Sequence, residues 1–174
     1  MLFAGFGGQG IQFTAKIMAY TGMIQGKEVS LLPSYGPEMR GGTSNCSVCI
    51  NEQPIASPLV TEPDQLYVLN TPSFLKFIDT VVPGGVVIYD NFLINTTTNR
   101  TDITLCPIPA TALANENGLK GLANIIALGL FIKKTGVATK DEVIAAIRKA
   151  VPAKKADMVD KNIKALEIGY AYCD

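Results

Sequence analysis

Two glycine-bearing stretches hold the residues best suited to meeting another molecule. The first, Gly5-Phe6-Gly7-Gly8-Gln9-Gly10, follows the apolar run Leu2-Phe3-Ala4 and precedes a helical pattern from Ile11 to Ile24. That order is strand, turn, helix. Glycine lets the main chain turn sharply and lets another surface come close to it. The N–H groups that open a helix have no partner inside it, so they suit an anion or an acidic group. Gly5, Gly7 and Gly10 have the spacing of a dinucleotide-binding turn, which also requires an acid at the end of the second strand to hold a ribose. That end reads Leu32-Pro33-Ser34, and Glu28 stands at the opposite end of the strand. No Gly-Lys-Ser/Thr follows, so a phosphate loop of that kind is excluded. A tight packing turn is the plainer alternative, and an independent Rossmann-like nucleotide-binding protein stays open beside it.

The second stretch, Pro33-Ser34-Tyr35-Gly36-Pro37-Glu38-Met39-Arg40-Gly41-Gly42, holds large polar residues between glycines. Arg40 has the fork geometry to pair with a carboxylate or a phosphate. The plainer alternative pairs Glu38 with Arg40 or with loop carbonyls. Loops after the first and second strands of an open α/β sheet often share one edge, which would make a single surface of the two stretches. Other candidates are weaker. Asp90, at a strand end, reads as a turn cap, and Asn124, inside an apolar helix, as a satisfied polar group. Lys154, Lys155, Lys161 and Lys164 read as a solvated helix face.

Composition narrows the chemistry. Lys+Arg and Asp+Glu are both 15 in 174 residues, so no basic field draws nucleic acid or a membrane surface. The chain has no histidine, which removes the commonest general base and metal ligand. Cys46 and Cys49 have the spacing of a metal knuckle, but Cys106 and Cys173 do not form a second pair. The stretch 43–50 reads as strand, where residues three apart point to opposite faces, so reduced, packed thiols are expected. The opening residues read as a strand rather than a leader. The most apolar run, Leu122 to Ile132, is shorter than the about 20 residues that span a bilayer. A soluble, cytoplasmic protein is expected, and a neutral surface on a chain that is 48% hydrophobic suggests that a partner covers part of it.

The elements that would position these residues follow from periodicity. Ile11, Ala15, Met18, Ala19 and Gly22 share one helical face. Val29 to Leu32 reads as the second strand, reached by a parallel crossover. The segment 33–42 is too short for another crossover helix, so the strand Ser44 to Ile50 should run antiparallel to a neighbour. Strands at 65–70, 86–89 and 103–106 follow, with a short helix at 73–81. From about Ala110 the chain reads as helical, with Leu119 to Lys134 apolar nearly all round and therefore buried. Thr139-Lys140-Asp141-Glu142 has the form of a capping box, and a last helix runs from Ala156 to Tyr172. The prediction is a single α/β domain over 1–174, with a mixed, mostly parallel sheet.

The two glycine stretches together resemble the gamma subunit of 2-oxoacid:ferredoxin oxidoreductases. Further similarity lies in Ser44, Val48, Ile55-Ala56-Ser57-Pro58, Pro63-Asp64, Pro83-Gly84-Gly85 and the helix with Asn124, Ala127, Leu128 and Gly129, so it covers nearly the whole chain. The pairing of Gly-Gly-Gln-Gly with Tyr-Gly-Pro-Glu-x-Arg-Gly-Gly is far more specific than either motif. The resemblance implies a three-layer α/β/α sandwich, of the domain III type in pyruvate:ferredoxin oxidoreductase, and a non-catalytic subunit. The complex would convert a 2-oxoacid and coenzyme A to acyl-CoA and CO2, passing electrons to ferredoxin or flavodoxin. It implies alpha, beta and delta partners, with thiamine diphosphate, magnesium and iron–sulfur clusters held by other subunits and none by this chain alone. The favoured 2-oxoacid is 2-oxoglutarate, with pyruvate and branched-chain 2-oxoacids as the others. The residues expected at a subunit interface or near coenzyme A are Gly7, Gly8, Gln9, Gly10, Tyr35, Gly36, Pro37, Glu38, Arg40, Gly41 and Gly42.

Overall fold

A computed structural model describes residues 1–35 and 43–173. Six strands form one sheet: β1 (Leu2–Phe6), β2 (Glu28–Tyr35), β3 (Thr43–Asn51), β4 (Gln65–Val68), β5 (Val86–Asp90) and β6 (Thr104–Ile108). Their order is β2-β3-β1-β4-β5-β6. The pairs β1–β4, β4–β5 and β5–β6 are parallel, while β3 is antiparallel to both β1 and β2. The sheet is mixed, with β3 as its one reversed strand. The crossover from β1 to β2 therefore does not join neighbours, because it leaves a place between them that β3 fills. At eight residues β2 is longer than its apolar core. It takes in Pro33, which an edge strand tolerates because one side of its backbone needs no ladder partner.

Helices lie on both faces: α1 (Ile11–Ile24), α2 (Thr71–Phe77, extended by a 3-10 turn), α3 (Ala110–Glu116), α4 (Ala123–Thr135), α5 (Lys140–Ala150) and α6 (Asp157–Ala171). Strand alternation divides the core between the two faces. Phe3, Cys46, Val48, Tyr67 and Ile88 join the side chains of α1, α4, α5 and α6. Leu2, Ala4, Leu66, Val68 and Val87 pack with Phe74 of α2 on the other side. Phe3, Tyr67 and Phe131 form an aromatic cluster with centroids 5.2 to 6.1 Å apart. This is the three-layer sandwich that the resemblance implies.

The predicted face of α1 is buried as expected, and both its ends coincide with the predicted ones. The apolar run from Leu119 is a different case. Its helix begins only at Ala123, because Gly118 and Gly121 take φ of 67° and 88° and turn the chain first. From Asn124 to Ile132 every residue of α4 is buried. Close approach of α6 makes this possible. A Cβ on Gly129 would meet the Leu166 carbonyl oxygen, and one on Gly169 would meet that of Ile126, so the two backbones touch where the glycines face each other. The capping box at α5 is present, with Thr139 Oγ1 accepting from the Glu142 N–H and the Glu142 carboxylate accepting from the Thr139 N–H.

Candidate functional site

The first glycine stretch begins inside β1 and turns at Gly7 to Gly10. Its glycines serve different ends. Gly5 makes room for Gln9, whose Oε1 would stand 2.7 Å from a Cβ there. Gln9 Oε1 accepts the Phe6 N–H at 2.6 Å, and its Nε2 donates to the Leu69 carbonyl at 2.9 Å. One side chain thus ties the turn to the end of β4. Gly10, with φ 77°, caps α1 through its backbone alone. Its carbonyl accepts from the Thr14 N–H at 2.9 Å and from Asn124 Nδ2 at 3.3 Å. Asn124 also donates to Thr14 Oγ1 at 3.0 Å, and its own carbonyl accepts the Tyr67 hydroxyl at 2.6 Å. Gly7 and Gly8 are exposed, and a Cβ on Gly8 would meet nothing within 4 Å.

The anchors of the second stretch reach the same edge of the sheet. In the ladder Phe6 lies opposite Thr43, and Tyr35 opposite Ser44. Gln12, in the first turn of α1, donates to Ser44 Oγ and to the Asn45 carbonyl, both at 3.0 Å. Tyr35 is 64% exposed at the tip of β2. Gly36, Pro37, Glu38, Arg40, Gly41 and Gly42 lie outside the described residues, and so does the Glu38–Arg40 pairing. Glu28 lies opposite Asn51 at the other end of β2, far from where a ribose-binding acid would have to stand.

The edge continues through Asp90 at the end of β5. Its side chain is fully buried. Oδ1 accepts from the Phe92 N–H at 3.0 Å, and Oδ2 accepts from the Thr111 N–H at 3.0 Å and Thr111 Oγ1 at 2.6 Å. Burial pushes its carboxyl above the ordinary value, while the hydrogen bonds from Thr111 and neighbouring amides pull the other way. With both oxygens engaged, Asp90 fastens β5 to the start of α3. A cavity of about 360 Å³ opens between β1 and β5, lined by Gly8, Gln9, Leu69, Asp90, Lys120 and Asn124. The chain leaves β1 toward β2 on one side and runs β4 to β6 on the other. The cavity therefore sits where the strand order reverses, the usual ligand crevice of an open α/β sheet. Exposed Phe92 and Leu93 stand just beyond β5. A wider cleft of about 620 Å³ lies among residues 48–65, at the opposite edge, and shares no residue with the glycine turn.

The cysteines do not converge. Cys46 and Cys106 are buried, Cys49 is partly exposed on the other face of β3, and Cys173 is exposed. Burial pushes the Cys46 thiol up to about 11. Among the described residues, no group of three or more His, Cys, Asp or Glu is placed to hold a metal ion, so these thiols do not fit an iron–sulfur cluster. Lys154, Lys155, Lys161 and Lys164 are solvent-exposed as expected. Sequence reasoning missed the inward roles of Gln9, Gln12 and Thr111. The one signal for Gln12 was a polar residue beside the apolar stripe of α1. The edge gathers amides and hydroxyls that tie β1, β3, β4 and β5 to the starts of α1, α3 and α4.

A family model described as pyruvate ferredoxin/flavodoxin oxidoreductase matches residues 1–172. The ketoisovalerate oxidoreductase subunit VorA of Methanothermobacter thermautotrophicus is 35% identical over 168 residues, which are 95% of this chain and 34% of that one. This chain thus spans about a third of that relative's length. The 2-oxoglutarate synthase subunit KorC of Methanocaldococcus jannaschii is 36% identical over 170 residues, 96% of this chain and 89% of that one. The crystal structure of a keto/oxoacid ferredoxin oxidoreductase gamma subunit from Geobacter sulfurreducens superposes with a TM-score of 0.83 at 29% identity, covering 97% of this chain and 94% of that one.

Proposed function

The chain belongs to the pyruvate ferredoxin/flavodoxin oxidoreductase family, among its gamma subunits, and from that premise we propose that it is a non-catalytic subunit of a 2-oxoacid:ferredoxin or flavodoxin oxidoreductase. The complex decarboxylates a 2-oxoacid oxidatively and transfers the acyl group to coenzyme A. Its substrate is 2-oxoglutarate, with pyruvate and branched-chain 2-oxoacids as the alternatives. Alpha and beta partners hold thiamine diphosphate and magnesium, iron–sulfur clusters lie in beta, delta or another domain, and the assembly is cytoplasmic. This chain supplies a surface on which those partners dock and which helps to shape the coenzyme A channel.

One observation carries the reading. The ladder places Phe6 opposite Thr43 and Tyr35 opposite Ser44, so the anchors of both glycine stretches stand side by side on one edge. Gly7 and Gly8 leave the backbone there open to close approach, and exposed Tyr35, Phe92 and Leu93 offer the apolar and aromatic contacts that interfaces favour. The chemistry belongs to the partners.

Co-expression with candidate alpha and beta chains tests this. The reconstituted complex should form acyl-CoA from 2-oxoglutarate, and Arg40→Ala should lower assembly, rate or both. An Arg40→Ala complex that assembles and turns over normally would overturn the role of the second loop. Turnover by this chain alone would overturn the subunit reading. The rival reading, an independent nucleotide-binding protein, lacks an acid at the tip of β2. Calorimetry of the isolated chain with NAD, FAD and ATP decides it, and heat of binding from NAD or FAD would favour the rival.

A further inference from the structure

β2 ends the sheet, so one side of its backbone has no ladder partner. Between Val29 and Leu32 it carries neither lysine nor proline, the residues that usually block pairing along such an edge. A groove of about 480 Å³ runs beside it, between α1 and β2. Ala19, Tyr20 and Met23 of α1, with Val29 and Leu31 of β2, form its apolar floor. Met23 is 53% and Leu31 40% exposed, so this floor is open to solvent.

The charges around the groove are one-sided. Lys16 and Lys149 both hold their ammonium groups over the Tyr20 ring, 5.4 and 5.2 Å from its centroid. Both lysines are exposed, and neither forms an ion pair among the described residues. Two cations gathered at one ring repel each other, and a carboxylate placed between them offsets that repulsion. At the other end of the groove Lys27 stands beside Glu28 and within electrostatic reach of Glu142, so its charge is partly offset. The positive field is therefore concentrated at Tyr20, next to the apolar floor.

We propose that an extended segment of a partner protein pairs along β2 as a further strand, its apolar side chains over Met23 and Leu31 and a carboxylate between Lys16 and Lys149. Open strand edges bind peptides in this way: main-chain hydrogen bonds hold the segment, and the groove reads alternate side chains. Residues two apart share a face, so the segment presents apolar, apolar and acidic side chains at every second position. A nucleic acid or an anionic membrane would satisfy the lysines but has no peptide backbone to pair with β2. The groove shares no residue with the glycine turn, and the inference goes beyond both the subunit reading and its rival.

Amide NMR of the 15N-labelled full chain, titrated with synthetic heptapeptides, tests the proposal. The first peptide has glutamate at both ends, valine at its third and fifth positions and threonine elsewhere, so it reads alike in both directions. It should shift the amides of residues 28–32 saturably. Exchanging its glutamates for lysine, or methylating its backbone nitrogens, should weaken binding at least about tenfold. Lys16→Glu combined with Lys149→Glu should do the same, and so should Leu31→Asp, all at exposed positions. The absence of saturable shifts along β2 overturns the proposal. So does equal affinity for the lysine peptide, or an affinity unchanged in the charge-reversed chain. Concentration-dependent dimerisation through β2 would assign the edge to a second copy and also overturn it. Peptide binding is read on this chain by itself, so either result leaves acyl-CoA formation and the nucleotide titrations to their own tests.

Discussion

Asn124 and Gly10 are fitted to one another across 114 positions of sequence. The Asn124 amide donates to the Gly10 carbonyl and occupies the space that a Cβ on residue 10 would need. The glycine turn is therefore shaped by α4 as much as by its own backbone.

Gly10→Ala should be destabilising for two reasons. Its φ of 77° is left-handed, which costs a residue with a Cβ about 1–2 kcal/mol, and the new methyl meets Asn124. Adding Asn124→Ala should recover the second part only, so the double variant should lose less than the sum of the single ones. Urea denaturation of the three variants measures this, and strict additivity would mean that the two residues do not meet.

Gly169→Ala should cost more. The added carbon faces the Ile126 carbonyl oxygen, which is backbone inside a fully buried helix and cannot turn aside as a side chain could. Overpacking of this kind costs about 1–3 kcal/mol, sometimes more, and the upper end is expected here. Wild-type stability in the purified variant would show that α4 and α6 are further apart.

Asp90 gives stability a pH dependence with a definite sign. Burial raises its folded-state value above 3.8. Just above 3.8 the folded chain retains a proton that the unfolded chain has lost. This contribution is complete below 3.8 and is lost as pH rises through the folded value. Asp90→Asn should remove that slope. It should also cost about 1–3 kcal/mol at neutral pH, because an amide N–H would face the donors of Phe92 or Thr111. Denaturation midpoints across the acid range, wild type against variant, measure both effects.

The thiols should react in order of exposure. Cys173 is exposed and should be alkylated first, with Cys49 slower. Cys46, buried and pushed up to about 11, holds almost no thiolate near neutral pH. It should react only after denaturant is added, and so should buried Cys106. Peptide mass spectrometry after timed iodoacetamide treatment reads this, and native-state labelling of Cys46 at the rate of Cys173 would mean that β3 opens.

Much of the local structure was legible because it rests on local rules. The limits of α1 follow from the glycines before it and its apolar spacing. The α5 cap follows from Thr139 and Glu142 alone. The mixed sheet followed from a length argument, since residues 33–42 cannot hold a crossover helix. The start of α4 was misread, because hydrophobicity persists through Leu119 and Leu122 while Gly118 and Gly121 redirect the backbone.

At the site, the sequence alone determined the elements and the candidates. A glycine turn lies between strand and helix, a second glycine stretch follows a strand, and the dinucleotide acid is missing. Periodicity and turn chemistry act over a few residues, and that is their reach. Only the tertiary structure decided which neighbours meet. It placed β3 between β1 and β2, brought Tyr35 and Thr43 to the glycine edge, and turned Gln9 inward to Leu69. It also set Asn124 against Gly10 and laid β2 beside α1, so that Tyr20, Met23 and Leu31 line one groove. These contacts depend on strand order and helix packing, which no short window of residues encodes.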